Sequence, residues 1–458
     1  MNLARLLRKR AEEGRPVRVG LIGAGKFGSM FLAQARTTVG LHLLGVADLS
    51  GARARAALDR TGWDLSAQIA KDFGSALKTG RTVITEDAMA LIAADLDVII
   101  DATGSPAAAI RHALAAVEHG RHIVLVTVEA DVLAGPLLAE RARKAGLVYS
   151  MAYGDQPALV CEMVDWAGAA GFRVVAAGKG TKYLPGYERS TPDTVWEHYG
   201  MSAEAAAAGG MNAQMFNSFL DGTKSAIEMA AISNATGLKA PRDGLAFPPC
   251  GAEDLARVLI PRAAGGVLQE SGLVEVISCI ERDGKPVARD LRWGVYVVFE
   301  AGSEDARAAY TRRCFSEYGM ATDASGRYCA LYRPYHLIGL ELGISVAAAA
   351  LRNEPTGTPD AFRSDVVAIA KKALKAGDML DGEGGYTVWG KLLRAEDSLA
   401  RRALPIGLAH KVKLLKPVAA GAVVGWDDVA IAEDETVRVR REMERTFAPK
   451  SVGNFAAA

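Results

Sequence analysis

The run VRVGLIGAGKFGSM, residues 17–30, decides the fold of this chain. An apolar stretch of strand character leads directly into GAGKFG, residues 23–28, where a helical pattern starts. In such a strand–turn–helix the first glycine permits a tight turn, the second lets the backbone approach a pyrophosphate, and the third lets the helix pack on the strand. The pyrophosphate lies at the positive end of the helix. The predicted cofactor-binding residues of this turn are Gly23, Gly25, Lys26, Phe27 and Gly28.

The residues at the end of the second strand and just after it indicate whether the cofactor is NAD or NADP. Asp48 ends that strand 20 residues beyond Gly28. A carboxylate there accepts hydrogen bonds from the adenosine ribose and repels a 2′-phosphate, which favours NAD. Arg53, with Ser50 before it, could instead hold the 2′-phosphate of NADP. The residues alone therefore leave both cofactors open.

Strand-like runs alternate with Ala-rich helical runs up to about residue 150, which predicts an α/β fold with a doubly wound parallel sheet. Five strands are predicted, at residues 17–23, 41–48, 96–103, 122–127 and 147–152. Thr103 and Gly104 follow the third strand, so we expect them in the crevice at the strand ends, where the nicotinamide half of a cofactor passes. Residues 1–155 are accordingly assigned to a Rossmann NAD(P)-binding domain.

The residues after this domain show two further sequence patterns. Residues 156–370 combine helical runs with three strand-like runs at 273–300, which predicts an antiparallel sheet within an α+β substrate and oligomerisation domain. Residues 371–458 contain short apolar runs punctuated by glycine, which predicts a small, mostly β domain and a C-terminal tail.

The composition excludes several classes of protein. The 54 basic and 53 acidic residues leave a net charge of +1, so no global field favours nucleic acid or a membrane surface. The five cysteines lack the CxxC spacing of a zinc or redox site. The N-terminal residues carry charges throughout, unlike a secretory signal, and no run of about 18 uncharged apolar residues occurs. We therefore expect a cytoplasmic protein that acts on a small molecule.

Two lysines mark a candidate substrate site. Lys179 and Lys182 flank a Gly-Thr turn at the end of an apolar strand, in AAGKGTKYLP. Two ammonium groups so placed can hold an anionic group such as phosphate. Two solvated surface lysines are the alternative interpretation.

A helical run farther on carries a second set of polar residues. Asn217 and Ser218 precede it as candidate substrate-binding residues. Lys224 and Glu228 are spaced i, i+4 and so lie on one face of the helix. Because Ala, Ile and Met surround them, a partly buried face is indicated where either group could act as an acid or base. An exposed ion pair is the alternative.

Carboxylates also follow the fourth and fifth predicted strands. Glu129 and Asp155 would point into the strand-end crevice and could bind a divalent metal, although no spacing specifies one. Asp155 is also a candidate substrate-binding residue. In YRPYHLIGLELG, Arg333 and His336 are further candidates for substrate binding, with a structural role as the alternative for each.

These segments resemble the 1-deoxy-D-xylulose 5-phosphate reductoisomerase-like family. The likeness rests on VRVGLIGAGKFGSM, DATGSPAAAIRHAL, VEADVLAGPLL, AYGDQPAL, AAGKGTKYLP and FNSFLDGTKSAIEMA, and it covers nearly the whole chain. It implies a homoserine-dehydrogenase-like core with a C-terminal SAF-like segment. Homoserine dehydrogenase itself differs at three places, where this chain has Val128-Glu129, the turn KGTKY at 179–183, and the pair Lys224 and Glu228.

The resemblance also implies a reaction. It is the NADPH-dependent conversion of 1-deoxy-D-xylulose 5-phosphate to 2-C-methyl-D-erythritol 4-phosphate in isoprenoid synthesis, with NADP(H) favoured over NAD(H). Mg²⁺ or Mn²⁺ would hold the substrate oxygens, Lys179 and Lys182 would hold phosphate or polarise oxygen, and Lys224 and Glu228 would move protons. A homo-oligomer is expected.

Two alternatives remain. One is an NAD(P)-dependent dehydrogenase or oxidoisomerase of a sugar acid or polyol in carbohydrate catabolism, which Asp48 and the SAF-like segment fit. The other is a non-enzymatic dinucleotide sensor.

Overall fold

The computed structural model describes residues 2–302 and 306–447. Its first part is a Rossmann domain, in which six parallel strands form one sheet in the order β3-β2-β1-β4-β5-β6. Its elements are α1 (Leu3–Glu12), β1 (Val17–Ile22), α2 (Lys26–Ala35), β2 (Leu41–Ala47), α3 (Gly51–Arg60), α4 (Leu65–Gln68), α5 (Phe73–Thr79), β3 (Val83–Thr85), α6 (Ala88–Ala93), β4 (Val98–Asp101), α7 (Pro106–Glu118), β5 (His122–Leu125), α8 (Val128–Lys144) and β6 (Tyr149–Met151). The predicted α/β class and doubly wound sheet are confirmed.

The strand order explains where a ligand fits on this sheet. The order reverses between β1 and β4, so the connections after these two strands turn to opposite faces and leave a crevice at their carboxyl ends. The sequence missed β3 because this edge strand has only 3 residues, too few to show a pattern.

The second part, which the sequence predicts to be the substrate domain, is an α+β region with a four-stranded sheet in the order β10-β9-β7-β8. Its elements are α9 (Gln156–Ala169), β7 (Arg173–Thr181), α10 (Val195–Tyr199), α11 (Ala203–Ala208), α12 (Ala213–Leu220), α13 (Thr223–Thr236), α14 (Leu255–Val258), β8 (Leu273–Ser278), β9 (Val295–Glu300), α15 (Ala306–Glu317), β10 (Tyr328–Arg333) and α16 (Gly343–Arg352). The sheet is mixed, and the prediction of a purely antiparallel sheet is wrong. β8 pairs in parallel with β7, and the chain after β8 returns only through the isolated bridge between Ile280 and Pro286.

The third part contains two small sheets, β11 with β13 and β12-β14-β15. Its elements are β11 (Ser364–Ala370), β12 (Met379–Asp381), β13 (Val388–Arg394), α17 (Ala395–Ala400), β14 (His410–Leu414), β15 (Val429–Ala430) and α18 (Glu435–Phe447). β11 begins inside the segment assigned to the substrate domain, seven residues before the predicted boundary at 371. The likeness of this part to an SAF domain stays a prediction. No helix in the described ranges is long and apolar enough to cross a membrane.

Helix α13 lies where the three parts meet. It packs on α8 of the Rossmann domain, on α9 and β8 of the substrate domain, and on β11 and β13 of the third part. Its side chains are buried on almost every side, from Thr223 to Asn234. An ionisable residue on such a helix needs a charged or hydrogen-bonding partner, because burying an unpaired charge is costly. This requirement applies to Lys224 and Glu228.

The last helix, α18, returns to the first domain and packs on α7 and α8. Its Arg440 is fully buried and pairs with Asp365 (2.6 Å) and Glu444 (2.9 Å). Nearer the surface, Arg141 of α8 pairs with Glu442 (2.7 Å). The sequence did not predict this helix, because its residues were grouped with the tail.

Candidate active site

The glycine-rich turn has the geometry that a pyrophosphate needs. Gly23 has a φ of 100°, and a Cβ there would lie 2.6 Å from the carbonyl oxygen of Ala102. A Cβ on Gly28 would overlap the carbonyl oxygen of Gly23. A Cβ on Gly25, at the start of α2, would meet no atom within 4 Å. Packing therefore requires the first and third glycines, whereas the second borders open space at a helix N-terminus, which fits a pyrophosphate.

Asp48 presents a fixed carboxylate at the end of β2. Its Oδ2 accepts a hydrogen bond from Ala24 N (2.9 Å), and its Oδ1 accepts from Ser50 N (2.9 Å) and Arg53 Nε (2.8 Å). Burial alone would raise the pKa of Asp48, but the hydrogen bonds from Arg53, Ala24 and Ser50 hold it below its ordinary value. Arg53 thus pairs with Asp48, the residue expected to contact the adenosine ribose. The Arg53 side chain is 58% exposed.

The loop after β4 is held by a buried acid. Asp101 Oδ1 accepts hydrogen bonds from Thr103 Oγ1 (2.9 Å) and Thr127 Oγ1 (2.8 Å), and its Oδ2 accepts from His112 Nδ1 (2.7 Å). Gly104 N donates to Thr127 Oγ1 (3.1 Å). This network joins the ends of β4 and β5 and fixes Thr103 and Gly104 at the crevice.

A pair of ionised groups bridges the Rossmann domain and α13. Lys224, in the first turn of α13, forms an ion pair with Glu129, in the first turn of α8. Only 17% and 15% of these side chains are exposed. Burial alone would lower the pKa of Lys224, but nearby carboxylates, Glu129 foremost, raise it above its ordinary value. Lys224 is therefore a stable ammonium group beside the strand-end crevice.

A second, deeper pair lies one helical turn away. Lys179 of β7 pairs with Glu228 of α13, and its Nζ also donates to Gln156 Oε1 (3.0 Å). Both charged side chains are less than 8% exposed. The i, i+4 neighbours Lys224 and Glu228 thus each pair with a residue of another element, and the interpretation as an exposed ion pair does not fit.

Asp155 completes this group of charges. It precedes α9, is buried, and accepts a hydrogen bond from Gln156 N (2.8 Å). Burial and the charge of Glu228 raise its pKa to about 6, although Lys224 and His336 act to lower it. We call Glu129, Asp155, Lys179, Lys224 and Glu228 the charged cluster.

The third part of the chain adds a carboxyl group that the sequence did not reveal. Glu383 lies in the turn between β12 and β13. A Cβ on Gly384 would overlap the carbonyl oxygen of Gln214, so this turn sits directly against α12. Burial and Glu129 raise the pKa of Glu383 to about 8, while Lys224 and a hydrogen bond from Ser218 act to lower it. Glu383 is thus close enough to the charged cluster to interact with it, and only the fold brings it there.

Asn217 has a different role from the one expected. It is fully buried, and its Nδ2 donates to the carbonyl oxygens of Ser190 (3.0 Å) and Gly384 (2.9 Å), while its Oδ1 accepts from Ser190 Oγ. It thereby holds the Glu383 turn, and its role in substrate binding stays a prediction. Ser218 is buried next to it and donates to Met215 O (2.8 Å).

The other predicted substrate residues each have partners outside the charged cluster. Lys182 is separate from Lys179: it donates to His198 O of α10 and lies 5.7 Å from the centroid of the Tyr199 ring. Arg333 pairs with Glu341 (2.5 Å). His336 Nδ1 donates to Trp293 O (2.8 Å).

The expected metal site does not fit the side chains present. The carboxylate of Glu129 is paired with Lys224. Within the described ranges, no three His, Cys, Asp or Glu side chains are grouped to hold a metal ion. Because Mg²⁺ needs oxygen ligands around it, we derive no step through a metal.

Two family models match consecutive parts of this chain. Residues 19–150 match the family model described as homoserine dehydrogenase, NAD binding domain, and residues 154–342 match the one described as oxidoreductase DRL, catalytic domain. No curated protein matches the chain.

Solved structures match this chain at low similarity. An oxidoreductase from Agrobacterium radiobacter, in complex with NAD+, L-tartaric acid and magnesium, is 15% identical over 36% of this chain and 44% of its own, with a TM-score of 0.27. An NAD binding oxidoreductase from Klebsiella pneumoniae is 19% identical over 38% and 47%, with a TM-score of 0.26. This chain thus spans less than half the length of either protein. A probable dehydrogenase from Thermotoga maritima is 15% identical over 74% and 90%, with a TM-score of 0.37. By the two family matches, the chain contains an NAD-binding domain followed by a domain similar to an oxidoreductase catalytic domain.

Proposed function

We propose that this protein transfers hydride between a nicotinamide dinucleotide and a carbonyl or hydroxyl carbon of a small polyhydroxylated anion. The first candidate reaction is the NADPH-dependent conversion of 1-deoxy-D-xylulose 5-phosphate to 2-C-methyl-D-erythritol 4-phosphate. The observation that carries the proposal is the Lys224–Glu129 pair, which joins the substrate domain to the carboxyl end of the cofactor-binding sheet. Hydride chemistry at this crevice needs a proton donor beside the reacting oxygen, and Lys224 is one.

Each residue of the site has a separate role in the proposed hydride transfer. For the first candidate, one carbon–carbon bond of the substrate breaks and another forms to give a branched aldehyde, and a bound nicotinamide would then supply a hydride to the aldehyde carbon. For a dehydrogenase of a sugar acid or polyol, no rearrangement is needed. The Lys224 ammonium stabilises the negative charge that develops on the carbonyl oxygen and gives it a proton. Glu129 holds Lys224 in place and stabilises its ammonium form. Lys179, fixed by Glu228 and Gln156, supplies a second positive charge from the floor of the site.

The test compares wild-type protein with Lys224→Met. We expect NADPH oxidation with 1-deoxy-D-xylulose 5-phosphate, and a loss of about a hundredfold or more in kcat for the variant, the range of general acid catalysis. Dinucleotide binding should be unchanged. Lys239→Met is the matched control, because Lys239 is an exposed lysine paired with Glu270. The gene should also restore growth of a bacterium that lacks its own reductoisomerase. No turnover and no rescue would reject this first candidate.

A second candidate is an NAD-dependent dehydrogenase or oxidoisomerase of a sugar acid or polyol. The observation that favours it is Asp48, whose ionised carboxylate stands where the adenosine ribose would lie and repels a 2′-phosphate. NAD reduction by sugar acids or polyols, without activity on the deoxyxylulose phosphate, would establish it. If neither kind of substrate is turned over, both candidates fail.

A further inference from the structure

A buried histidine on α7 is bonded to the last residue of β4. His112 Nδ1 donates to Asp101 Oδ2 (2.7 Å), and the two side chains are 10% and 0% exposed. The other buried residues of α7 are alanine and isoleucine, at positions 109, 110, 113, 115 and 116. An imidazole among them is costly unless it is hydrogen-bonded, so packing alone does not account for this residue.

His112 completes the bonding of the Asp101 carboxylate. Oδ1 accepts hydrogen bonds from Thr103 N (3.2 Å), Thr103 Oγ1 (2.9 Å) and Thr127 Oγ1 (2.8 Å), which belong to residues that follow β4 and β5. Within the described part of the chain, Oδ2 has its bond from His112. Because the terminal torsion of an aspartate is broad, bonds to one oxygen alone leave the carboxylate free to turn. The bond to the second oxygen therefore fixes its orientation.

Two threonines connect this carboxylate to the backbone of the loop after β4. A threonine hydroxyl has one proton, and both of these hydroxyls donate it to Asp101. Each oxygen then accepts a hydrogen bond from the loop backbone, Thr127 from Gly104 N (3.1 Å) and Thr103 from Ser105 N (3.3 Å). The position of the loop thus depends on the carboxylate and, through it, on the histidine.

This loop lies beside the turn that would hold the pyrophosphate. A Cβ on Gly23, the first glycine of that turn, would lie 2.6 Å from Ala102 O and 3.0 Å from Thr103 N. Gly104 has a φ of 67°, and a Cβ there would meet no atom within 4 Å. The loop therefore borders the glycine turn on one side and open space on the other.

The adenosine half of the cofactor has separate supports. Asp48, which would bind the adenosine ribose, follows β2 and accepts its hydrogen bonds from Ala24, Ser50 and Arg53. In the sheet, β2 and β4 lie on opposite sides of β1. A change at His112 can therefore affect one half of a dinucleotide and not the other.

We propose that His112 is a positioning residue for the nicotinamide half of the dinucleotide. It acts through Asp101 on residues 103–105 and does not itself touch the cofactor. Without the imidazole, the carboxylate would turn, and the loop would leave the position that the nicotinamide ribose needs. The inference goes beyond the proposed reactions, because it concerns the cofactor and holds for either candidate.

The experiment compares binding of the whole dinucleotide with binding of ADP, which lacks the nicotinamide half. We expect His112→Leu to weaken the calorimetric binding of NADH and NADPH about tenfold or more, because a lost charge-assisted hydrogen bond has about this effect. Binding of ADP should be unchanged. His112→Asn should bind like the wild type, since its side-chain amide can donate from the place of Nδ1. His119→Leu is the control, because His119 is exposed at the end of the same helix.

Thr127→Val tests the same network at its other end. Valine has the shape of threonine without the hydroxyl group, so we expect the same selective loss of dinucleotide binding. The double variant His112→Leu/Thr127→Val should bind NADH no more weakly than the weaker single variant, because two changes within one network are not additive.

The inference is overturned if His112→Leu and Thr127→Val bind NADH and NADPH like the wild type, or if ADP binding falls as far as dinucleotide binding. It also fails if His112→Asn binds as weakly as His112→Leu, because the ring would then matter only for packing, or if the wild type binds no dinucleotide. If binding follows the expectation but no sugar phosphate, sugar acid or polyol is turned over, the inference stands and both candidate reactions fail.

Discussion

Gly25→Val should remove dinucleotide binding without unfolding the protein. The φ of Gly25 is −74°, which other residues adopt, and a Cβ there would touch no atom within 4 Å. The free protein should therefore lose no more than about 0.5 kcal/mol of stability. The two valine methyl groups would occupy the space that the pyrophosphate enters. Losing one or two charge-assisted hydrogen bonds, at about 1.5–3 kcal/mol each, weakens binding by at least about tenfold.

Gly28→Ala is the matched comparison, because its single added methyl group would overlap the carbonyl oxygen of Gly23. Overpacking of this kind costs about 1–3 kcal/mol, so this variant should melt at a lower temperature. Calorimetry with NADH and NADPH gives Kd, and thermal unfolding without cofactor gives Tm. The reasoning fails if Gly25→Val binds cofactor like the wild type, or if its Tm falls as far as that of Gly28→Ala.

The remaining predictions concern charge. Arg53→Gln should weaken NADPH binding about tenfold and NADH binding much less if Arg53 leaves Asp48 to hold a 2′-phosphate; equal losses would show that it only pairs with Asp48. Glu129→Gln should lower the pKa of Lys224, since Glu129 is the foremost cause of its elevation, and so move the alkaline limb of the kcat profile to lower pH; an unmoved limb would contradict the assigned pairing. Burial raises the pKa of Glu383 from 4.5 to about 8, so the folded protein holds this proton more tightly than the unfolded chain does. Its contribution to stability is present below about pH 4.5 and is lost as the pH rises through about 8. Glu383→Gln should therefore flatten the fall in Tm between pH 5 and pH 9, and a parallel fall in both proteins would count against a raised pKa.

Local chemistry explains which features the sequence could predict. The glycine turn, Asp48 and the alternation of strands and helices follow from short-range rules, and they predict the Rossmann fold. Lys224 and Glu228 were recognised as one helical face. Their partners were not, because Glu129 is 95 residues and Lys179 is 49 residues away along the chain.

The rest of the site depends on packing between distant segments. Glu383 lies in a glycine-rich turn where the sequence shows no helical or strand periodicity. It comes close to the charged cluster because Asn217 binds Gly384 O and Gly384 packs against α12, which together hold the turn in place. The sequence identifies polar residues such as Asn217 as site candidates. Whether such a residue binds substrate or supports the fold depends on its neighbours in space, which the sequence does not specify.

The docking of α18 affects how the protein is made. The groove on α7 and α8 that receives Arg440 is synthesised early, whereas α18 emerges roughly 290 residues after α8 ends. At about 5–20 residues per second, the ribosome needs about 15–60 s to cover that interval. During this time the finished nucleotide-binding domain carries an uncovered groove, open to chaperones or to nascent chains on neighbouring ribosomes. Helix α18, which is translated long after α8, therefore covers part of the Rossmann domain.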